Sequence, residues 1–370
     1  MRKLWWLFLV AANGALAAGP SQSAEISNDL GFRILKSRGL GKDRHGNRLI
    51  APFSAYLATA MSKMGHHPND TPPELVRLTA GEWLEEIRAH VASHAALKDR
   101  VFATESIAFL SSLRDQPSDF TTRMKNVFAA NVLKYDRQQA EKWASDFFKN
   151  KVKLAFPTDF PSWDGRPYYV SLSFLESEWN QKYFESTVRK AEFNLGKGRG
   201  KGNFDTLYGE GRAKYVNAPG EYEAIELNLG KSAEISAVLV EPTSQLDTFV
   251  QTLDAEKWEK IYSRIRDAKE ELGEIHVPAL KLSARQELTT AYLSPSGGAS
   301  IEEPHFYHFA LLEMTPKGIT AAAKSEIGVT ITSVPSYRFD CRIDRPYLVA
   351  IREKRTGTIL WLAAIEEPSN

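Results

Sequence analysis

Residues 318–330 alternate between two classes of side chain with a period of two. One set of alternate positions is mainly small or apolar: Ile319, Ala321, Ala323, Ser325, Ile327 and Val329. The intervening positions are Thr320, Ala322, Lys324, Glu326, Gly328 and Thr330. Because side chains alternate between the two faces of a strand, the first set can lie beneath a sheet while the second faces water. The same residues also suit a surface loop, so the segment is a candidate conformational switch.

The first 17 residues have the composition of an export signal. Arg2 and Lys3 precede an apolar run, Leu4–Val10, and Ala15–Ala17 forms a small-x-small cleavage site. An uncleaved membrane anchor is the alternative, which the shortness of the run disfavours. We predict cleavage after residue 17, or at the latest by residue 24. The product would be exported, to the extracellular space or the periplasm, and would not be attached to a membrane.

The remaining residues have the composition of an ordinary globular protein. Of 47 basic and 46 acidic residues, removal of Arg2 and Lys3 leaves 45 basic residues and a net charge of −1. A balanced charge gives no support for nucleic-acid binding. Cys341 is the only cysteine, so a packed core must supply the stability that disulfides give many exported proteins. No Pro- or Gly-rich linker divides the chain, and we predict one α+β domain over residues 25–370, a monomer.

The hydrophobic pattern is helical in the first half of the chain and strand-like in the second. Predicted helices cover Asn28–Arg38 with Ser27 as its cap, a segment opening at Ala51, Pro72–Ala96, Asp119–Ala130, Glu141–Lys149 and a segment containing Trp258. Predicted strands are Thr104–Leu113, Tyr168–Leu175, the hairpin Glu223–Leu229 with Glu234–Val240, His276–Leu282, Phe306–Leu312, Tyr347–Arg352 and Thr358–Ile365.

Residues typical of catalysis or metal binding are sparse. The chain has no G-x-S-x-G or S-x-x-K motif, so we predict that it is not an enzyme. His305 and His308 lie three apart on a strand, which places them on opposite faces and disfavours a shared metal ion. The run Gly196–Gly202 is rich in glycine and basic residues, but it fits neither the P-loop pattern nor the glycine spacing of dinucleotide-binding proteins. A mobile basic loop is the favoured interpretation, and a site for sulfated or phosphorylated polymers is the alternative.

Several short motifs, in order, resemble those of one family. Asp344–Tyr347, Ile351–Glu353 and Thr356–Leu360 are similar to the C-terminal signature of the serpins. Earlier matches are Asn28–Phe32 to the first helix of the family, Ala51–Ser54 to a helix start, Val170–Trp179 to a central strand, and His308 to a histidine ten residues before the hinge glycine. The resemblance extends over essentially the whole chain after the export signal.

The resemblance implies a fold and a mechanism. The serpin fold packs helices around a large mixed sheet and exposes a reactive-centre loop, here about residues 318–338. A target serine protease, or alternatively a cysteine protease, cleaves the loop and becomes covalently attached. The N-terminal arm of the loop then inserts into the sheet as a new strand. The implied hinge and arm are Gly318, Ile319, Thr320, Ala321, Ala322, Ala323 and Ser325, and the implied positions at which the sheet opens are Ser54, Ser171, Trp179 and His308.

The implied reactive bond lies fourteen residues beyond Gly318, at Thr332–Ser333. Neighbouring side chains are small or β-branched, and no Lys or Arg lies between Lys324 and Arg338. This composition predicts an elastase-like target rather than a trypsin-like one. No cofactor is implied.

Several features depart from the family pattern. Ile319 replaces a Thr or Ser, Pro316 replaces an acidic residue, and Ala51 and Ser171 stand where Ser and Asn are typical. The segment Ser294–Pro304 is shorter than in the family, and Glu176–Glu178 replaces a basic Lys-Gly-Lys. A non-inhibitory serpin-fold binding protein, whose loop is only a protease substrate, is therefore the alternative function.

Overall fold

The computed structural model describes residues 21–37, 42–66, 85–86, 88–89, 101–112, 119–152, 160, 162, 164–185, 187–288, 305–319 and 336–368. The predicted export signal and most of the predicted helix Pro72–Ala96 lie outside these residues. The helices are α1 (Gln22–Lys36), α2 (Pro52–His66), α3 (Phe120–Phe128), α4 (Arg137–Val152), α5 (Leu246–Gln251) and α6 (Ala255–Asp267).

Two sheets organise the described residues. The six-stranded sheet has the order β10 (Leu280–Leu288), β11 (His305–Thr315), β12 (Gly318–Ile319), β4 (Tyr168–Glu178), β2 (Val101–Leu110) and β3 (Asn131–Lys134). The nine-stranded sheet has the order β1 (Arg48–Ile50), β15 (Ile359–Ile365), β14 (Tyr347–Glu353), β8 (Ile235–Pro242), β7 (Tyr222–Leu229), β6 (Lys201–Ala218), β9 (Glu270–Pro278) and β13 (Phe339–Arg342), with β5 (Arg189–Asn194) also paired to β6.

Helix α2 lies between the two sheets. Its first eleven residues, 52–62, are all buried, which is expected of a helix that is covered on every side. It contacts β4 and β11 of the six-stranded sheet and β15 of the nine-stranded sheet. Helix α4 covers the opposite face of the six-stranded sheet, where Phe147 and Phe148 pack with residues of β2, β4 and β11. None of the helices within the described ranges has the length and hydrophobicity needed to cross a membrane.

The first helix is joined to the last two strands by one side chain. Asn28 donates from Nδ2 to the Gly357 carbonyl oxygen at 2.9 Å. Its Oδ1 accepts from the Ile359 backbone N–H at 2.8 Å. Both contacts are buried, so they satisfy polar groups that would otherwise cost about 1–3 kcal/mol each.

Two predictions about element bounds were wrong. Helix α1 begins at Gln22 with Ser21 as its cap, and the predicted cap Ser27 is a buried residue inside the helix. The predicted single strand His276–Leu282 is divided at Ala279, whose N–H donates to Asp205 O at 2.9 Å. The two parts belong to β9 and β10, in different sheets. In both cases a tertiary partner, invisible in the local pattern, sets the boundary.

The glycine-rich basic segment also differs from its prediction. Gly196–Gly202 forms a folded turn that ends in the first residues of β6, not a free loop. Lys197 Nζ lies 2.6 Å from Asp247 Oδ2 and 3.1 Å from Glu366 Oε1. Arg199 donates to Glu367 Oε2 at 3.3 Å. Carboxylates of the chain already neutralise these cations. The alternative prediction, a site for sulfated or phosphorylated polymers, is therefore disfavoured.

Candidate functional site

The seam between β4 and β11 has two differently built ends. At one end the two strands pair directly and in parallel over five residue pairs, Tyr168–Leu172 with His305–Phe309. At the other end β12 lies between them and is antiparallel to both. A short strand between two longer ones already separates β4 and β11 at the position where the predicted arm begins.

Trp179 holds the turn that leads into β12. Its backbone N–H donates to Lys317 O at 2.9 Å, and its indole Nε1–H donates to Thr315 O at 3.0 Å. The two-residue turn of Pro316 and Lys317 is thereby fixed against the end of β4. Trp179 also pairs with Leu229, which connects this corner to the nine-stranded sheet. The residue therefore positions the hinge.

The two predicted hinge residues that the structure describes, Gly318 and Ile319, are strand residues. Gly318 pairs with Glu178 on one side and Thr315 on the other. A side-chain Cβ at Gly318 would lie 2.2 Å from the Ser177 carbonyl oxygen, so only glycine fits without moving the backbone of β4.

Ile319 shows where the exposed-loop prediction has to be corrected. The loop was expected to be exposed from residue 318, with Ile319 buried only after cleavage. Instead, Ile319 is 3% exposed and belongs to the main hydrophobic core. Full burial of an isoleucine contributes about 1.5–3 kcal/mol, a gain that the smaller threonine would not match. The isoleucine at this position thus anchors β12 in the six-stranded sheet.

His308 lies at the centre of the direct pairing, opposite Ser171. Its Nε2 accepts a hydrogen bond of 2.7 Å from the Ala51 backbone N–H at the start of α2. An accepting Nε2 places the proton of the neutral ring on Nδ1. Within the residues that the structure describes, Nδ1 has no partner. Complete burial lowers the pKa of His308 to about 3, so the ring is neutral.

Four serines line the same face of the seam. Ser106 donates to Ser171 Oγ at 3.1 Å, and Ser54 is hydrogen-bonded to Ser173. Ser54, Ser171 and His308 therefore lie close together, whereas Trp179 lies at the far end of β4. The sequence analysis missed Ser106 and Ser173. Period-two alternation along β4 would have found Ser173, because it shares a face with Ser171.

The pKa of His308 gives a testable pH dependence. In the unfolded chain an ordinary histidine takes up a proton near pH 6.5, whereas the folded ring takes it up only near pH 3. Stability from this residue is therefore complete above about pH 6.5 and is lost as the pH falls towards 3. We expect the difference in unfolding free energy between the wild type and His308→Gln to shrink by on the order of 4 kcal/mol between pH 7 and pH 3.

Urea denaturation of both proteins across that range measures this difference. Gln is the matched variant because its amide oxygen can accept from Ala51 N–H without titrating. A difference that stays constant with pH would contradict the buried neutral imidazole.

Most of the other residues predicted for the site lie outside the part of the chain that the structure describes. Thr320, Ala321, Ala322, Ala323, Ser325 and the reactive bond Thr332–Ser333 lie outside the described residues. His305 and His308 point to opposite faces of β11, as predicted: His308 faces α2, and His305 packs on Tyr168 on the other face. Across the described ranges no three His, Cys, Asp or Glu side chains converge as a metal site.

Comparison with known proteins agrees with this architecture. The family model described as serpin (serine protease inhibitor) matches residues 25–368. Mouse antithrombin-III is 22% identical over 375 residues, which cover 88% of this chain and 77% of that protein. Iripin-1 of the tick Ixodes ricinus is 23% identical and is covered to 97%, as is this chain.

Solved structures share the fold. Human thyroxine-binding globulin in complex with its hormone superposes with a TM-score of 0.75 at 15% identity, over 94% of this chain and 99% of that one. The thermophilic serpin tengpin, in its native state, has the same TM-score and identity over 95% of each chain. The family match spans both sheets, the hinge and the seam, and the chain therefore belongs to the serpin family, which consists in general of inhibitors of serine proteases and not of enzymes.

Proposed function

We propose that the chain is a suicide-substrate inhibitor of an elastase-like serine protease. The protease attacks the Thr332–Ser333 bond and becomes acylated by Thr332. The arm beginning at Ile319 then extends β12 into a full strand along the seam. The observation that carries the proposal is β12 itself: Gly318 and Ile319 already pair with both β4 and β11.

The observed register supports insertion of the whole arm. Ile319 lies opposite Ser177 on β4 and Met314 on β11. Continuing this antiparallel register places Ser325 opposite Ser171 on one side and His308 on the other. Those two residues pair directly in the uncleaved chain, so the arm replaces that contact. The proposal requires five direct residue pairs of the seam to separate and new pairs to form on both sides of the arm.

The surroundings of Ser171 and His308 suit the arrival of Ser325 between them. Ser325 has the same strand parity as Ile319 and would face the core side, where the His308 ring lies. A hydroxyl there can accept from the Nδ1–H of His308, which has no partner among the described residues of the uncleaved chain. Satisfying a buried donor gains about 1–3 kcal/mol. Insertion up to Ser325 would therefore be favoured at this point of the seam.

The direct test is incubation of the protein with pancreatic elastase, analysed by denaturing gel electrophoresis. We expect a band at the summed mass of protease and inhibitor, because acylation followed by insertion traps the protease covalently. Thr332→Arg is the matched specificity variant, which should transfer complex formation from elastase to trypsin. Mass spectrometry of the released C-terminal peptide checks the reactive bond.

A non-inhibitory binding protein is the second candidate, favoured by one observation. Ile319 anchors the hinge with a larger side chain than the family's usual residue, which can slow insertion. Each 1.4 kcal/mol on the insertion barrier slows it about tenfold and lets the acyl-enzyme hydrolyse. Complete cleavage of the loop by elastase with no covalent band would favour this candidate over inhibition.

Export is part of the proposal. Residues 1–17 carry the expectation, with cleavage after Ala17. Helix α1 begins at Gln22, so that cleavage site leaves the helix and its cap Ser21 intact. A target protease would then be encountered outside the cytoplasm.

A further inference from the structure

His305, the first residue of β11, lies between two carboxylates from different parts of the chain. Its Nε2 is 2.7 Å from Asp164 Oδ2, and its Nδ1 is hydrogen-bonded to Glu287. A neutral imidazole has a single N–H, so it can donate to only one of them. With carboxylate oxygens at both nitrogens, the geometry suits the doubly protonated ring. His305 is buried, whereas the side chains of Asp164 and Glu287 reach the surface on either side of it.

The other charged and titratable groups around the ring reinforce this arrangement. Arg166 pairs with Asp164 at 2.6 Å, and the Tyr307 hydroxyl donates to Glu287 Oε2 at 3.3 Å. Burial alone would raise the pKa of Asp164, but hydrogen bonds from Arg166 and His305 outweigh it and hold that pKa below its usual range. The Tyr168 ring stacks on the imidazole, with centroids 4.7 Å apart. A carboxylate oxygen therefore faces each nitrogen of the ring, and Arg166 supports the carboxylate of Asp164.

The three residues come from both sides of the seam. Asp164 lies on the segment leading into β4, whereas His305 and Glu287 lie on the paired strands β11 and β10. Inserting a strand between β4 and β11 moves them apart by about 4.8 Å, the spacing of neighbouring strands. The contact between Asp164 and His305 must then break, while the contact between His305 and Glu287 can persist.

Phe160 shows that this end of the seam is covered as well as paired. The ring packs on Tyr307 and Phe309 of β11, at 5.6 Å from each, and on Phe109 of β2 at 6.1 Å. It therefore straddles the seam on the same face as His305. Separation of the strands has to disturb this aromatic layer, so a polar contact beside it can control whether separation starts.

We propose that Asp164, His305 and Glu287 form a proton-controlled clamp that sets how readily the seam opens. When His305 is doubly protonated, it bridges β10 and β11 to the entry of β4 and holds the seam closed. When the ring loses a proton, the tautomer that keeps Glu287 turns a lone pair towards Asp164, and the contact across the seam is lost. The contact across the seam therefore requires both ring protons, and it is lost when the ring becomes neutral. As a regulation of strand insertion, this inference rests on the proposed function.

Hydrogen exchange tests the clamp without any protease. The exchange rates of amides in peptides covering 168–172 and 305–309 are measured for the wild type and for His305→Gln between pH 5 and pH 9. Because the two proteins are compared at the same pH, the intrinsic pH dependence of exchange cancels. We expect the seam amides of the wild type to be protected roughly tenfold more than those of the variant at pH 5, and equally at pH 9. Asp164→Asn should lose the same protection, which covers the case in which the His305 variant does not fold.

His45→Gln is the matched control, because His45 pairs with a carboxylate, Glu367, at 2.8 Å and makes no contact across the seam between β4 and β11. It should leave seam exchange unchanged. A ratio between wild type and His305→Gln that does not vary with pH would overturn the clamp. pH-dependent protection without any covalent complex with elastase would support the clamp and contradict the inhibitory function. A covalent complex without pH-dependent protection would support the inhibitory function and contradict the clamp.

Discussion

Replacing Ile319 with arginine is expected to abolish covalent complex formation with elastase while leaving cleavage of the loop intact. Ile319 is 3% exposed in the main core, and an unpaired charge there costs several kcal/mol. In the uncleaved chain the arginine can leave the sheet by giving up the two-residue strand β12, so the penalty falls on the inserted state and on the path towards it. At one tenfold change per 1.4 kcal/mol, insertion should slow by about a hundredfold or more. The acyl-enzyme then hydrolyses first, and the inhibitor becomes a substrate.

Thr320→Arg is the matched control for charge and size. An arm that continues the register of β12 on insertion would place residue 320 on the face opposite Ile319, next to Glu176 and Glu313. An arginine there meets two carboxylates on the partly exposed side of the sheet, so complex formation should persist. The stoichiometry of inhibition and the gel band measure both variants. Equal complex formation by Ile319→Arg and the wild type would contradict the burial of residue 319 during inhibition.

Cleavage of the loop is expected to raise the melting temperature by roughly 20 °C. Extension of β12 beyond Ile319 would add about ten ladder hydrogen bonds at a net ~1 kcal/mol each. A gain of this size corresponds to about 2 °C per kcal/mol in a chain of this length. Calorimetry of the uncleaved and the elastase-cleaved protein, purified away from protease, gives the comparison.

The same measurement on cleaved Ile319→Arg provides the control. That protein has the same broken bond and the same fragment masses, but its arm cannot enter the core side of the sheet, so most of the gain should disappear. A wild type whose melting temperature does not change on cleavage would show an arm that stays outside the sheet. Such a result would rule out inhibition by insertion whatever the gel shows.

Local pattern predicted those parts of the fold that depend on local chemistry. The hairpin of β7 and β8 was predicted from two β-rich runs separated by a short turn, and the two strands are paired antiparallel. Ser54, Ser171 and His308, in contrast, were named only by the resemblance to the serpins and not by any local pattern.

The remaining features depend on contacts between distant segments. The alternation from residue 318 is compatible with a loop or a strand. Packing of Ile319 beneath the sheet makes residues 318 and 319 a strand. Asp164 and His305 are 141 positions apart, so no local window relates them. Ser27 and Ser21 are equally good caps by type, but Ser21 also donates its N–H to Thr356 O at 2.8 Å. In each case the partner that decides is remote in sequence.

Asn28 has a consequence for the order in which the chain is made. Its two buried hydrogen bonds reach Gly357 and Ile359, 329 and 331 positions away. β14 and β15 lie between β1 and β8 in the nine-stranded sheet. Helix α1 is therefore synthesised more than 300 residues before the two partners of Asn28, and it cannot complete these contacts until residue 359 has been made. Contacts of such long range slow folding. Removal of residues 357–370 would delete both partners and leave Asn28 with two unsatisfied polar groups.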